Sequence, residues 1–172
     1  MALLDSITYV SPATFALGPM RSTPEPTLVN ISGVTLMHTP QGTPAAAEAA
    51  LKSLRGFRAA GRRIAWCHTT ELSRTPNVDL HAWGRKLVEQ GKADMTVFCG
   101  AGARELALAA RDAGLPLGRV IVCTDDATAR NVLCDSISVG DTVLALGIAV
   151  ESCQRLAERL ESRFERELVG VK

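Results

Sequence analysis

The side chains able to hold a metal, activate a nucleophile or grip an anion sit where apolar runs stop. Cys67-His68 closes one run, Cys99 a second and Cys123 a third, and His38 follows a fourth. Thiolate and imidazole suit zinc, so Cys67, Cys99 and His68 are the metal candidates, with Cys123 and His38 beside them. The short ligand spacings of zinc sites are missing, since none of the five cysteines forms a Cys-x-x-Cys pair. The expectation is no metal. Cys67 as nucleophile with His68 as its base meets a geometric objection, because adjacent residues of a strand point to opposite faces. No residue is assigned as catalytic. Gly100-Ala101-Gly102 could cradle an anion on backbone N–H groups. A dinucleotide fingerprint would place a third glycine where Glu105 stands, which makes a tight turn the plainer reading.

Strands and helices must position these groups, and the sequence alternates between them. A short strand is expected near Ile7–Val10, then an extended arm broken by Pro12, Pro19, Pro24 and Pro26. Leu28–Ile31 and Val34–Met37 read as a hairpin turning at Ser32-Gly33. Thr43 as N-cap and Pro44 at the first position start a helix carrying Ala47, Leu51, Leu54 and Phe57, with Gly61 closing it. Arg63–Cys67, Asp94–Cys99, Arg119–Cys123 and Thr142–Leu146 read as short apolar strands covered on both faces. Helices fall between them. One carries Leu80, Trp83 and Leu87 and is capped by Gly91. The next spans Ala101–Ala113, and a third is opened by Thr124-Asp125-Asp126. Trp66 and Trp83 are expected in the core, and His81 as a packing or capping residue.

This alternation predicts an α/β fold: a three-layer, Rossmann-like, mostly parallel sheet with helices on both faces. Residues 1–27 form the N-terminal arm and residues 28–172 the domain. Ligands of such sheets bind outside the carboxyl ends of the strands. The expected ligand-binding residues are therefore His38, Thr39, Gln41, His68, Thr69, Glu71, Gly100, Gly102 and Asp125. A final helix, about Val150 to Leu168, repeats Leu156, Leu160, Phe164 and Leu168 every fourth residue. Its charged distal half suggests a homodimer through that helix.

Composition narrows the function classes. A chain of 172 residues with 47% hydrophobic residues can bury a core without staples. A net charge of +1 speaks against a nucleic-acid partner. No apolar run spans a bilayer, and the first residues do not read as a secretion signal. An odd number of cysteines at the ends of apolar runs points to a reducing compartment, so the cytoplasm is the expected location.

The order of segments resembles the C-terminal domain of Mur ligases, most of all that of the D-alanyl-D-alanine-adding ligase. Gly33-Val34-Thr35-Leu36, Thr43-Pro44 and Ala49-Ala50-Leu51 are similar to its opening, and Gly61-Arg62-Arg63-Ile64-Ala65 to its second strand. Glu71-Leu72, Leu80-His81 and Gly84 follow in order. So do Ala113-Gly114-Leu115-Pro116, Asp125-Asp126 and Gly140-Asp141-Thr142-Val143-Leu144. The resemblance covers about Leu28 to Leu160. It implies a domain that closes over ATP held elsewhere and positions an incoming amino acid.

The departures matter as much. Nowhere does the chain read Gly-x-x-x-x-Gly-Lys-Ser/Thr, the nest that holds the β- and γ-phosphates. Where the family has acidic residues and a tyrosine before an Asn-x-Asn-Pro turn, the chain reads Met37-His38-Thr39-Pro40-Gln41-Gly42-Thr43-Pro44. Where the family has Gly-Asp-Met it reads His68-Thr69-Thr70 after Cys67. The family's Lys-Gly-Ser-Arg is Leu146-Gly147-Ile148-Ala149. Apolar groups there can neither neutralise a phosphate nor donate to a carboxylate. The leading expectation is a free-standing, non-catalytic binding or interaction module, with no cofactor. A second is the C-terminal subunit of a split ligase, using ATP only when a P-loop ligase partner completes it. A third is an enzyme built on the Cys/His strand ends, with or without a metal.

Overall fold

The computed structural model describes residues 25–169. The expected strand at Ile7–Val10 and most of the arm lie outside them. β1 (Thr27–Ile31) and β2 (Val34–Thr39) form the hairpin. Ser32 and Gly33 both take left-handed backbone, φ 49° and 88°, the conformation a two-residue hairpin loop demands. The chain then alternates through α1 (Pro44–Gly56), β3 (Arg63–His68), α2 (Thr70–Arg74), α3 (Leu80–Glu89), β4 (Met95–Cys99) and α4 (Ala103–Asp112). A 3-10 turn at Leu117–Arg119 leads into β5 (Val120–Cys123), α5 (Asp126–Ser136), β6 (Thr142–Leu146) and α6 (Val150–Val169).

The six strands lie in the order β1-β2-β6-β3-β4-β5, with only the β1–β2 pair antiparallel. This is the expected α/β sandwich. The last strand, β6, slots between β2 and β3, so the loops after these three strands meet at one end of the sheet. Helices cover both faces. Leu51, Leu54, Trp83, Leu87 and Leu106 from α1, α3 and α4 pack with Phe98 on one face. Leu133, Leu156, Leu160 and Phe164 from α5 and α6 pack with Trp66 on the other. Each such side chain contributes about 1.5–3 kcal/mol by leaving water. Of the four leucine and phenylalanine residues on the stripe of α6, three are consumed by the chain's own sheet, and Leu168 is exposed.

The helix starts follow the sequence. Thr43 Oγ1 accepts from the Ala46 N–H at 3.3 Å, and Asp79 Oδ1 from the Ala82 N–H at 3.0 Å. Several boundaries differ. α1 ends at Gly56, because Phe57 turns to extended backbone and packs on the core. Gly61 serves elsewhere: a Cβ on it would meet Asp141 Oδ1 at 2.6 Å, so its bareness lets that carboxylate approach. The left-handed residue after α3 is Lys92, φ 55°, while Gly91 leaves room for Leu51 and the Leu87 carbonyl. α4 starts at Ala103, behind Gly102, rather than at Ala101. His81 is exposed and faces Asp112 of α4 at 3.9 Å, outside the core. β3, β4 and β6 are covered on both faces, but β5 is an edge strand and Val122 is exposed.

Candidate functional site

β3 and β6 end beside an open hollow of about 480 Å³. His68, Thr70, Glu71, Arg74, Thr75, Pro76 and Gly147 line it. α2 is one short turn, so Thr70 and Arg74, four apart, rise on one side of it. Thr75 donates its hydroxyl to the Glu71 carbonyl at 2.9 Å and closes the turn.

Two glycines make the hollow. Gly100 follows β4 with φ 94°, and a Cβ there would meet Thr70 Oγ1 at 2.6 Å and His68 Cε1 at 3.1 Å. The imidazole and the hydroxyl therefore rest on bare backbone. Gly147 follows β6 with φ 67°, and a Cβ there would meet the His68 carbonyl oxygen at 2.9 Å and the Gly42 Cα at 3.3 Å. Its N–H donates to the Thr39 carbonyl at 2.8 Å. The Gly42 N–H in turn donates to Glu71 Oε2 at 2.5 Å. The loops after β2, β3 and β6 are thus interlocked, and the floor of the hollow is fixed.

The groups facing it are complementary in charge. Arg74 is exposed and forms no ion pair among the described residues. Glu71 is exposed, with one carboxylate oxygen tied to the Gly42 N–H. A guanidinium binds carboxylates and phosphates bidentately, while the free oxygen of Glu71 accepts from an ammonium or hydroxyl. His68 and Thr70 add shorter polar reach.

The structure separates the nine residues expected at the site. His68 and Glu71 line the hollow, and Gly100 backs His68. His38 is buried, and its Nε2 donates to the Ile148 carbonyl at 2.7 Å. Burial pushes its pKa down, against the opposing pull of that bond and of the Glu151 charge. Thr39 and Thr69 are buried too, and Thr69 Oγ1 donates to the carbonyls of Cys99 and Ala101 at 3.1 and 2.5 Å. Gln41 is exposed and lines no part of the hollow. Gly102 opens α4 with φ 78°, and a Cβ there would strike Leu80 Cδ1 at 2.6 Å. Two N–H groups of the turn are already bonded within the chain: that of Ala101 donates to Thr70 Oγ1 at 3.1 Å and that of Ala103 to the Gly100 carbonyl at 3.3 Å. Asp125 caps α5, its Oδ1 accepting from the Thr128 N–H at 2.7 Å.

Arg74 and Thr75 escaped the sequence reading because α2 is too short to show a period. The signal that would have found them is the Thr70–Arg74 spacing just past a strand end.

The metal candidates do not converge. Cys67 belongs to the core layer under α1, α3 and α4, and Cys99 and Cys123 to the layer under α5 and α6. Burial, with Asp126, Cys123 and Asp125 nearby, pushes the Cys99 thiol up to about 12, and burial with Cys99 nearby pushes Cys67 strongly upward. Among the described residues no three His, Cys, Asp or Glu side chains cluster to hold a metal ion.

No family model and no curated protein matches the sequence. Solved structures do match the fold. MurF from Acinetobacter baumannii superposes with a TM-score of 0.61 at 19% identity, over 79% of this chain and 30% of its own. A murein peptide ligase, Mpl, from Psychrobacter arcticus gives 0.58 at 15%, over 78% and 29%. The chain has the fold of a Mur ligase domain. A domain of a UDP-N-acetylmuramate:L-alanyl-gamma-D-glutamyl-diaminopimelate ligase from Haemophilus ducreyi gives 0.52 at 14%, over 77% of this chain and 93% of its own. The chain therefore spans about 30% of the MurF and Mpl chains but nearly all of that isolated domain. Among the described residues, no helix is long and apolar enough to cross a membrane.

Proposed function

We propose that this domain is a non-catalytic relative of the Mur ligase C-terminal domain, a cytoplasmic module that binds a zwitterionic amino acid or short peptide of peptidoglycan precursor synthesis. One observation carries the reading: Arg74 and Glu71, unlike charges on one turn, line the same fixed hollow at the ends of β3 and β6. A ligand carboxylate pairs with Arg74, and its ammonium faces Glu71. The structural neighbours include ligases whose names specify amino-acid and peptide substrates. The absence of a phosphate-binding loop from the 172 residues supports binding without turnover. Ile148 adds to this. It is buried where the resembling family has a hydroxyl, and its carbonyl is spent on His38.

The test is a thermal-shift and calorimetric screen of the pure chain with amino acids, D-alanyl-D-alanine, ADP and UDP-sugars. Ligand saturation raises the melting temperature by mass action. The expected result is a shift with a zwitterion that disappears in Arg74→Ala, with no ATP hydrolysis. Hydrolysis by the isolated chain, or no shift with any zwitterion, would overturn it.

A second reading rests on coverage. The domain matches about 30% of a MurF from Acinetobacter baumannii, and a MurF from Thermotoga maritima is known in complex with ADP. On this reading the chain is the C-terminal part of a split ligase, and ATP enters only with a partner that carries the phosphate loop. Ligase activity on mixing with such a partner, and not before, would favour it over the first.

A further inference from the structure

β5 ends the sheet on its side, and among the described residues nothing pairs with its outer edge. The strand is Val-Ile-Val-Cys, without charge or proline. Proteins that leave such an edge open blunt it with lysine, proline or a bulge, because its free N–H and C=O groups template another strand. Here the neighbourhood is apolar instead. Val122 is 43% exposed, Leu108 of α4 is 50% exposed and Leu117 just before the strand is 75% exposed. Val122 stands in register with Phe98, which packs under α3 and α4, so Val122 and Leu108 look out from the same side of the sheet.

The flanking charges specify the occupant. Arg119 precedes the strand and Asp125 follows it, both exposed. Arg119 forms no ion pair among the described residues. Asp125 uses its oxygens on the Thr128 N–H and the Thr124 hydroxyl, which leaves a carboxylate with acceptor sites to spare. Lay β5 antiparallel against β5 of a second copy, with Val122 facing its own mate. Arg119, in the 3-10 turn, flanks the start of the strand and Asp125, the cap of α5, flanks its end, so an antiparallel pair brings each Arg119 to the end where the second copy carries Asp125. The strand is self-complementary in charge as well as in apolarity, which is what an isologous two-fold contact requires.

We propose that the chain self-associates through β5, antiparallel about a two-fold axis at Val122, joining two six-stranded sheets into one. Cross-strand opposite charges stabilise such a pair and like charges weaken it. No residue of β5 lines the hollow of His68 and Arg74, and the contact does not depend on what binds there.

The full chain is tested by sedimentation equilibrium. A dimer is expected, and Arg119→Glu, which turns both attractive pairs repulsive, should weaken it roughly tenfold or more. Asp125→Lys should weaken it similarly, and its loss of a helix cap makes the mixing experiment decisive. An equimolar mixture of the two variants restores both opposite-charge pairs and should recover the dimer, whereas damage to folding would not be repaired by mixing. Val122→Cys should form an intermolecular disulfide under mild oxidation, as no dimer through α6 would. A monomer at high micromolar concentration, a dimer indifferent to Arg119→Glu, or a mixture that fails to re-associate would each overturn the proposal. So would dimers that Val122→Cys does not cross-link.

Discussion

The Asp141 carboxylate accepts both the backbone N–H of Arg62, at 2.8 Å, and its guanidinium, at 2.6 Å, and so ties the start of β6 to the start of β3. The Ser138 N–H donates to the same carboxylate at 2.9 Å. Burial alone would raise the Asp141 pKa, but the Arg62 side chain and the Ser138 and Arg62 N–H groups outweigh it and hold the carboxyl below its usual range. The sign follows. A depressed folded pKa stabilises the fold above the unfolded value, about 3.9, and that stability is lost as pH falls through the folded value. Asp141→Asn should cost about 1–3 kcal/mol at pH 7. Urea unfolding at pH 7, 5, 4 and 3 should show the gap between wild type and variant closing toward acid, and a gap independent of pH would refute the assignment.

The thiols give the opposite sign. All five cysteines are free and buried. Burial raises Cys67, Cys99 and Cys153, with Cys99 near 12. An unfolded thiol ionises near 8.5, so the unfolded chain releases protons first as pH rises past that value, and stability falls. Each such thiol should contribute a loss of up to about 1.4 kcal/mol per pH unit above its unfolded pKa. Denaturant midpoints between pH 8 and 10 should drop, and Cys99→Ala should flatten the decline. Ellman's reagent should label the native chain slowly and the urea-unfolded chain at once.

Trp66 is fully buried in the layer under α5 and α6, yet its Nε1 has no hydrogen-bond partner among the described residues. A buried donor left unpaired costs about 1–3 kcal/mol. Trp66→Phe removes that donor along with part of the ring, so it should change stability by less than about 1.5 kcal/mol. Trp66→Ala, which leaves a cavity, should cost about 3–5 kcal/mol. Chemical denaturation of the two variants measures both. Equal losses would mean that the indole N–H is satisfied in solution.

The sheet was legible because its signals are local and redundant. Thr43-Pro44 starts α1, Ser32-Gly33 turns the hairpin, and apolar runs ending at Cys67, Cys99 and Cys123 mark strands. Topology then placed the end of the sheet where the hollow lies. The sorting of residues within that end was not legible. Thr69 and His68 are neighbours of similar polarity, and only the turn of the chain from β3 into α2 at Thr69 decides that one props the Cys99 carbonyl while the other faces the hollow. His38 looked like a site residue for the same reason, though burial and the Ile148 carbonyl make it structural. Gly61 and Gly91 resembled helix stops in one dimension, but their bareness answers to Asp141 and Leu51, which lie far along the chain.

The floor of the hollow depends on Gly147, and a single methyl should show it. At φ 67° an L residue is strained, and a Cβ would stand 2.9 Å from the His68 carbonyl oxygen and 3.3 Å from the Gly42 Cα, both backbone atoms that cannot swing aside. Gly147→Ala should therefore destabilise the chain by about 1–3 kcal/mol and prise the β6 loop from the loops after β2 and β3. Any zwitterion-dependent thermal shift should shrink with it, since Glu71 is held by Gly42 on the far side of that contact. Gly56→Ala is the control of opposite sign. It sits at the end of α1 with nothing within 4 Å of the new methyl, and should be neutral or stabilising by up to about 1 kcal/mol. Urea midpoints for the two variants decide the matter, and a Gly147→Ala variant as stable as wild type would mean that the three loops are not locked together.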